Sequence, residues 1–392
     1  MEVSVPWKVS RPMDERVRFI AEVNAGEESF TDICKSFGIA RKTGYKWVER
    51  YETLGVEGLL ELPKRTRSCP HRTDQETLNR IIELRKEHPK WGPKKLWGRL
   101  KALGVETPPA SSTIGQMLKR HGLVQARRRR VHVPTRGTAI ASTSEPNETW
   151  CIDFKGHFAL GDRTRCYPLT VTDHTTRYLL KCEALTKANE ASVRVHLERA
   201  FHEFGLPLRI RSDNGPPFAT TGVGGLSSLS IWWIMLGIAP ERIEPAHPEQ
   251  NGRHERMHRT LKEAACVPGA TSALEQQRSF DRFRNVFNNE RPHEALDMRT
   301  PSSVYMPSRT LMPATPRSPG YPANFIVRRL DRNGRIEWEH GGKSAWILSP
   351  LLAREPIGLE VVEDGLWRAH YGPVPLAMID ERSGELELTK LR

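Results

Sequence analysis

Three acidic residues, far apart in the chain, are the side chains best suited to catalysis. Asp153 lies in Trp150–Phe154, an apolar segment that is typical of a strand. Asp213 directly follows another short predicted strand, and Glu255 follows Asn251-Gly252, which predicts the start of a helix. Carboxylates from a strand, a strand end and a helix start can converge on one point at the edge of a sheet.

Each acid also has a simpler interpretation when it is taken alone. Asp153 fits an outward-facing position on a half-exposed strand, and Glu255 fits a solvated charge on a basic helix. Asn214-Gly215 is first of all a hairpin signal, but Pro216-Pro217 follows it, and consecutive prolines cannot start a central paired strand. Glu249 competes with Glu255 as the third acid, although it precedes the helix and is aimed less well.

Clustered carboxylates repel one another unless cations neutralise them. Hard oxygen ligands favour Mg²⁺ or Mn²⁺, and two such ions activate the attacking oxygen and stabilise the leaving oxygen of a phosphodiester. We therefore expect two divalent ions held by Asp153, Asp213 and Glu255.

The acids lie in a segment, residues 148–307, in which strand and helix patterns alternate and predict an α/β or α+β domain. The predicted strands are Glu148–Phe158, Tyr167–Asp173, Tyr178–Ala184 and Leu208–Arg211, with a helix over Ala188–Phe204. A glycine-rich passage, Thr220–Ser230, separates Asp213 from Glu255, and we interpret it as a surface insertion.

Two helical segments come first, at residues 12–62 and 70–134. In the earlier one a helix, a turn at Gly38 and a third helix from Arg41 form a helix-turn-helix pattern. Basic and polar residues follow where a recognition helix meets the major groove, and a basic run closes the second segment. The predicted DNA contacts are Arg41, Lys42, Thr43, Lys46, Arg127, Arg128, Arg129 and Arg130.

A small, polar stretch at residues 135–147 predicts a linker, and short strands separated by turns at residues 322–392 predict a small β-sheet or barrel. The fold class is thus multidomain α+β, with a C-terminal small β-barrel.

The formal net charge is +13, which favours nucleic acid as the first partner and an anionic membrane surface as the second. The six cysteines show no Cys-x-x-Cys pair, and we expect a reducing cytoplasm. Residues 1–14 have no signal-peptide pattern, and the most apolar stretch, Ile231–Ala239, is too short to span a bilayer.

Combined, the motifs resemble the core of bacterial insertion-sequence transposases of the DDE type. The resemblance rests on Trp-x-x-Asp at Trp150, Ser-Asp-Asn-Gly-x-x-Phe at Ser212, His-Pro-x-x-Asn-Gly-x-x-Glu-Arg at His247, and Asn-Glu-Arg-Pro-His at Asn289. Phe30–Trp47 and Trp91–Leu96 resemble the helical modules that precede this core, so that nearly the whole chain is covered.

This resemblance implies an RNase H-like, retroviral-integrase-type core in which Asp153, Asp213 and Glu255 bind metal. It also implies that Lys262 contacts DNA near the site. The expected activity is metal-dependent cleavage of 3′ ends and strand transfer into target DNA, in DNA integration and recombination. Double-stranded DNA, both element ends and target, is the expected partner, with a dimer or larger homo-oligomer on DNA in a bacterial cytoplasm.

Two alternatives from other classes remain. A non-catalytic DNA-binding regulator fits the charge and the helical modules, but it has no need of clustered carboxylates. A metal-dependent nuclease or resolvase could use the same core, because a fold alone does not fix a function.

Overall fold

The computed structural model describes residues 12–61, 73–124, 143–244, 248–338 and 344–389. The chain divides into two compact units, residues 1–73 and residues 74–392. Among the described residues, no helix combines the length and apolar character that crossing a membrane requires. The predicted contacts Arg127, Arg128, Arg129 and Arg130, and most of the predicted linker, lie outside the described residues.

The first unit is a three-helix domain around a small apolar core. Its helices are α1 (Pro12–Ala25), α2 (Phe30–Ser36) and α3 (Arg41–Leu54). The Ser29 side chain caps α2 by accepting a hydrogen bond from the Asp32 amide. At Gly44 a β-carbon would lie 2.7 Å from Cys34 Sγ, so the glycine allows α3 to approach α2 closely.

The second unit begins with another helical module. Its helices are α4 (Gln75–Glu87), α5 (Pro93–Ala102) and α6 (Ser111–Arg120). Leu96 and Leu100 of α5 are fully buried in the core of the module. The opposite side of α5 packs on a later part of the unit, where a β-carbon at Gly98 would lie 3.0 Å from the Pro292 side chain.

A mixed sheet flanked by helices forms the centre of the second unit. Strand β1 (Thr149–Phe154) pairs antiparallel with β3 (Arg165–Asp173) and parallel with β5 (Arg209–Ser212). The remaining strands and helices are β2 (Phe158–Ala159), β4 (Leu179–Leu185), α7 (Glu190–Phe204), α8 (Ser228–Met235), β6 (Ala239–Arg242), α9 (Gly252–Leu261) and α10 (Ala273–Asn289). The strand order is β2-β3-β1-β5-β6, with β4 on β3, which fits the predicted α/β or α+β domain.

Successive side chains of β1 point to opposite faces of the sheet. Trp150 and Ile152 point into the main apolar core, together with Leu197 and Phe201 of α7. Cys151 and Asp153 therefore point to the other face, which α9 and α10 cover. The strand thus stabilises the domain with one face and delivers a carboxylate with the other.

The glycine-rich passage is not the surface insertion that the sequence predicts. Leu226 is only 2% exposed and packs in a core shared with the C-terminal strands. Ser227 forms a capping box with Ser230 at the start of α8, and the Gly224 amide donates to the Thr389 carbonyl at 2.7 Å. Residues 220–230 therefore join the catalytic core to the C-terminal sheet.

The prediction of a C-terminal barrel is also wrong for the described strands. They form an open five-stranded sheet in the order β13-β12-β11-β10-β7 and a separate two-stranded sheet, β8-β9. The strands are β7 (Ile326–Arg329), β8 (Arg335–Trp338), β9 (Ser344–Ile347), β10 (Pro356–Glu363), β11 (Leu366–Tyr371), β12 (Val374–Asp380) and β13 (Glu385–Leu388). One face of the larger sheet is covered by α8 and the glycine-rich passage, so it buries its apolar side chains without closing on itself.

Candidate active site

Asp153 lies near the end of β1, opposite Thr170 of β3, and its side chain is 21% exposed. Burial, together with the negative charges of Asp213 and Glu255, raises the pKa of Asp153 to about 7, whereas the positive charge of Lys155 opposes this shift. The structure therefore places both Asp213 and Glu255 within electrostatic range of Asp153.

Asp213 follows β5, the parallel neighbour of β1, and its Oδ1 accepts a hydrogen bond from the Gly215 amide at 3.2 Å. Burial raises the pKa of this carboxyl also. Glu255 lies in the first turn of α9, and its side chain is exposed. Because α9 begins at Gly252, as the Asn251-Gly252 pair predicts, Glu255 lies at the helix start, where its charge acts on Asp153.

Two histidines that the sequence reasoning did not select lie beside Asp153. His254 and His258 are buried on α9, and both imidazoles contact Thr170 Oγ1, at 2.8 and 2.7 Å. The second nitrogen of His254 contacts Thr172 Oγ1 at 2.8 Å, so both of its ring nitrogens are engaged. His258 Nδ1 lies 3.7 Å from Asp153 Oδ2, which leaves this nitrogen as the one directed at the acidic cluster.

Thr170 limits the protonation states of this network, because its hydroxyl has a single proton to donate. The hydroxyl also lies 3.2 Å from the Asp153 carbonyl oxygen, which gives it three partners. Burial lowers the pKa of His258 to about 3, so the ring is neutral. If Thr170 donates to His258 Nε2, then Nδ1 carries the hydrogen and faces Asp153. If it donates elsewhere, Nδ1 presents a lone pair to the cluster.

Two lysines lie near the site with different neighbours. Lys155 is the cation whose charge acts on Asp153 and on His258. The predicted DNA contact, Lys262, is exposed and begins a π-helical turn, Lys262–Cys266, in which its charge acts on Cys266. Lys155 was missed by the sequence reasoning, although its place two residues after Asp153 puts it on the same face of the sheet.

The predicted DNA contacts of the first unit lie together at the start of α3. Arg41, Lys42 and Lys46 are exposed, and Thr43 is half-buried. Tyr45 is also 62% exposed and stacks on Phe30 at 4.3 Å between ring centroids. Trp47 anchors the helix from its buried side, with Arg16 over its ring. The arrangement leaves a basic surface on α3 that is free to meet a duplex.

Models of known families match four parts of the chain. An integrase core domain matches residues 143–248, and a second integrase core domain model matches residues 236–301. A helix-turn-helix domain matches residues 15–67, and a homeodomain-like domain matches residues 43–118. The two integrase matches together include all three predicted acids.

Relatives of this chain are named for bacterial insertion elements. The chain is 27% identical over 236 residues to the "Insertion element IS407 uncharacterized 31.7 kDa protein" of Burkholderia multivorans, covering 59% of this chain and 82% of that protein. It is 26% identical over 286 residues to "Transposase InsD for insertion element IS2A/D/F/H/I/K" of Escherichia coli, covering 67% and 91%.

Among solved structures, the chain is similar to the HTLV-2 integrase catalytic core domain in complex with magnesium, with a TM-score of 0.33 and 15% identity over 41% of this chain and 97% of that one. The family matches and the relatives agree with the motifs around the three acids. The chain is therefore a DDE-type transposase of the insertion-sequence kind, with helix-turn-helix domains and an integrase core that acts in DNA transposition.

Proposed function

We propose that Asp153, Asp213 and Glu255 form the active site at which this transposase cleaves the 3′ ends of its element and joins them to target DNA. One observation carries the proposal: the charges of Asp213 and Glu255 both raise the pKa of an already buried Asp153. Such a cluster is unfavourable by itself and becomes favourable when cations bind.

The donor set fits divalent ions of the hard type. Three carboxylates supply oxygen ligands, as Mg²⁺ and Mn²⁺ prefer, and we propose that two such ions bind here. When bound, they would supply activation of the attacking oxygen and stabilisation of the leaving oxygen at phosphorus. The network of Thr170, His254 and His258 would hold the carboxylate of Asp153 in place through its contact with His258.

The helical modules would bind the DNA that is cleaved at this site. We propose that Arg41, Lys42, Thr43 and Lys46 contact the element end, with the run Arg127–Arg130 along the backbone and Lys262 near the cleaved strand. Joining two ends to one target requires at least two active sites, so we also propose a dimer or larger assembly on DNA.

The test compares the wild type with Glu255→Gln in a reaction that contains Mg²⁺, labelled element-end DNA and a plasmid target. Glu263→Gln serves as the matched control, because it makes the same change at an exposed position in the π-helical turn that follows α9. We expect end cleavage and joining with the wild type and the control, and neither with Glu255→Gln.

Joining at equal rates by Glu255→Gln and the wild type would remove Glu255 from the site. Hydrolysis without joining by the wild type would favour the nuclease alternative. DNA binding without either reaction, at all Mg²⁺ and Mn²⁺ concentrations, would favour the regulator.

A further inference from the structure

A second group of unbalanced charges lies on the other flank of α9. Four arginines, Arg177, Arg253, Arg256 and Arg291, line a cavity of about 260 Å³, which we call the arginine pocket. Arg177 lies in the turn between β3 and β4, two of the arginines lie on α9, and Arg291 follows α10. Apolar residues, including Phe287 and Met257, form part of its wall.

The described residues offset the positive charge of the pocket only from a distance, through Asp173 acting on Arg177 and Glu263 acting on Arg291. No carboxylate among the described residues lies within ion-pair distance of the four guanidinium groups. The Nε atom of Arg291 is buried without a hydrogen-bond partner among the described atoms. Burial, together with the positive charge of Arg253, lowers the pKa of Arg177 to about 10, which indicates that these two guanidinium groups repel each other.

The two acids that line the pocket are already occupied. Asp173 accepts hydrogen bonds from the amides of Asn147 and Thr176, at 2.7 Å each, and from the Thr176 hydroxyl at 2.6 Å. Glu294 pairs with Lys94 at 3.1 Å. Neither carboxylate therefore forms an ion pair with an arginine of the pocket, which leaves the four guanidinium groups without an anion in direct contact among the described residues.

Guanidinium groups bind phosphate oxygens through two parallel hydrogen bonds, and a cluster of them on an open cavity is suited to a phosphate. The pocket shares two elements, α9 and β1, with the acidic site. Arg253, Glu255 and Arg256 are all exposed on the first turns of α9, and Cys151 in the pocket wall is two residues before Asp153 on β1. Two residues along a strand correspond to about 6.6 Å.

We propose that the arginine pocket binds a backbone phosphate of the DNA whose scissile bond lies at the acidic site. The inference rests on the proposed function, because that function brings DNA to this face of α9. Arg253 and Arg256 would contact the phosphate from the rim, and Arg177 and Arg291 would contact it from inside. The contact would fix the position of the strand without reading its sequence.

The test measures the binding of a blunt DNA duplex of random sequence to the full chain over a series of KCl concentrations, without divalent metal. The variant is R253Q/R256Q, and the matched control is R278Q/R282Q, which removes the same charge from two exposed positions on α10. We expect the variant to bind about tenfold more weakly at low salt and its salt slope to fall by roughly 1 to 2. The control should keep the wild-type slope.

Arg291→Lys separates a phosphate site from a general electrostatic attraction, because it retains the charge and removes the planar fork. Weaker binding by this variant supports the pocket, and wild-type binding by both Arg291→Lys and R253Q/R256Q overturns it. Equal loss in R253Q/R256Q and R278Q/R282Q overturns it too. Since the assay needs neither metal nor cleavage, it remains valid if Glu255→Gln still joins DNA and the proposed active site fails.

Discussion

The two flanks of α9 carry unbalanced charge of opposite sign. On one flank, the negative charges of Glu255 and Asp213 both raise the pKa of Asp153. On the other flank, Arg253 and Arg256 face Arg177, and positive charge lowers the pKa of Arg177. The helix keeps the two sets apart, because a rotation of 100° per residue puts positions 253 and 256 away from position 255.

The buried stripe between the flanks follows the ordinary rules of packing. His254 and His258 have hydrogen-bond partners, and Met257 and Leu261 pack on the sheet. Unbalanced charge is therefore confined to the two flanks. Like charges that lie together on both flanks indicate two ligands, a cation on one flank and an anion on the other.

The largest effect should come from the acidic flank. Asp153→Asn should lower the rate of joining by roughly 10³-fold or more, because one metal ligand loses its charge. The same change should stabilise the metal-free protein at pH 8 by roughly 1–3 kcal/mol, because a charge that is costly to bury has been removed.

The stabilisation of the metal-free protein by Asp153→Asn should depend on pH. The pKa of Asp153 is about 7 in the folded protein, above the ordinary value of 3.8, so the wild type loses stability as the pH rises through 7. The advantage of Asp153→Asn should therefore vanish near pH 4, which urea unfolding at several pH values would measure. Asp162, an exposed acid whose pKa is lowered by Thr164, is the control: Asp162→Asn should not stabilise the protein. A metal-free Asp153→Asn less stable than the wild type at pH 8 would contradict the acidic cluster.

A smaller effect is expected at the stripe that supports the acids. His258→Leu should lower cleavage about 10- to 100-fold and weaken the apparent affinity for Mg²⁺, because Asp153 loses its neighbour. His258→Asn should retain much of the activity, since its amide can still reach polar groups. Titration of activity with Mg²⁺ at saturating DNA measures both values. Wild-type Mg²⁺ dependence in His258→Leu would show that the imidazole has no role in positioning Asp153.

The shape of the arginine pocket depends on the packing of the second helical module, α4–α6, because Lys95 of α5 lines the pocket. Gly98→Val would place its side chain against Pro292 and Met298, where even a β-carbon lies at 3.0 and 3.1 Å. We expect a loss of about 1–3 kcal/mol in stability from overpacking, and weaker DNA binding because the wall containing Lys95 shifts. Gly92→Ala is the control, since open space surrounds that position. Thermal unfolding and the salt dependence of DNA binding are the measurements. If Gly98→Val is destabilised but keeps the wild-type salt slope, then the packing of the second helical module does not affect DNA binding by the arginine pocket.

The smallest effect should come from Cys151, which lies between the two flanks. Its Sγ is 3.4 Å from His174 Nδ1, an arrangement that looks like a nucleophilic pair. Burial raises the pKa of the thiol to about 12 and lowers the pKa of His174 to about 3, so neither group ionises near neutral pH. Cys151→Ser should change joining by less than about threefold, and iodoacetamide at pH 8 should leave the native thiol unmodified. Rapid alkylation would require a different account of this position.

The local sequence pattern was sufficient to predict many of the strands and helices of the integrase core. The strands around Asp153 and Thr170, the helix over Ala188–Phe204 and the helix start at Gly252 follow from alternation, helical spacing and the Asn-Gly pair. The turn at Gly38 likewise separates α2 from α3 in the helix-turn-helix of the first unit. The motifs around Asp153, Asp213 and Glu255 were enough to select the three acids and to predict an integrase-type core.

Long-range packing decided what these patterns could not. The glycine-rich passage is polar and flexible by composition, yet Leu226 is buried because the C-terminal sheet covers it. The sheet remains open because closure depends on pairing between its first and last strands, which turn signals do not specify.

The same distinction holds for the charges around α9. By itself, the sequence determined which residues carry acid and base, because helix and strand periods are properties of neighbouring residues. Only the tertiary structure brought Arg177 and Arg291 to Arg253 and Arg256, since these side chains come from three separated segments. The type of each element is encoded locally, whereas the field at each site is a sum over residues that meet only after folding.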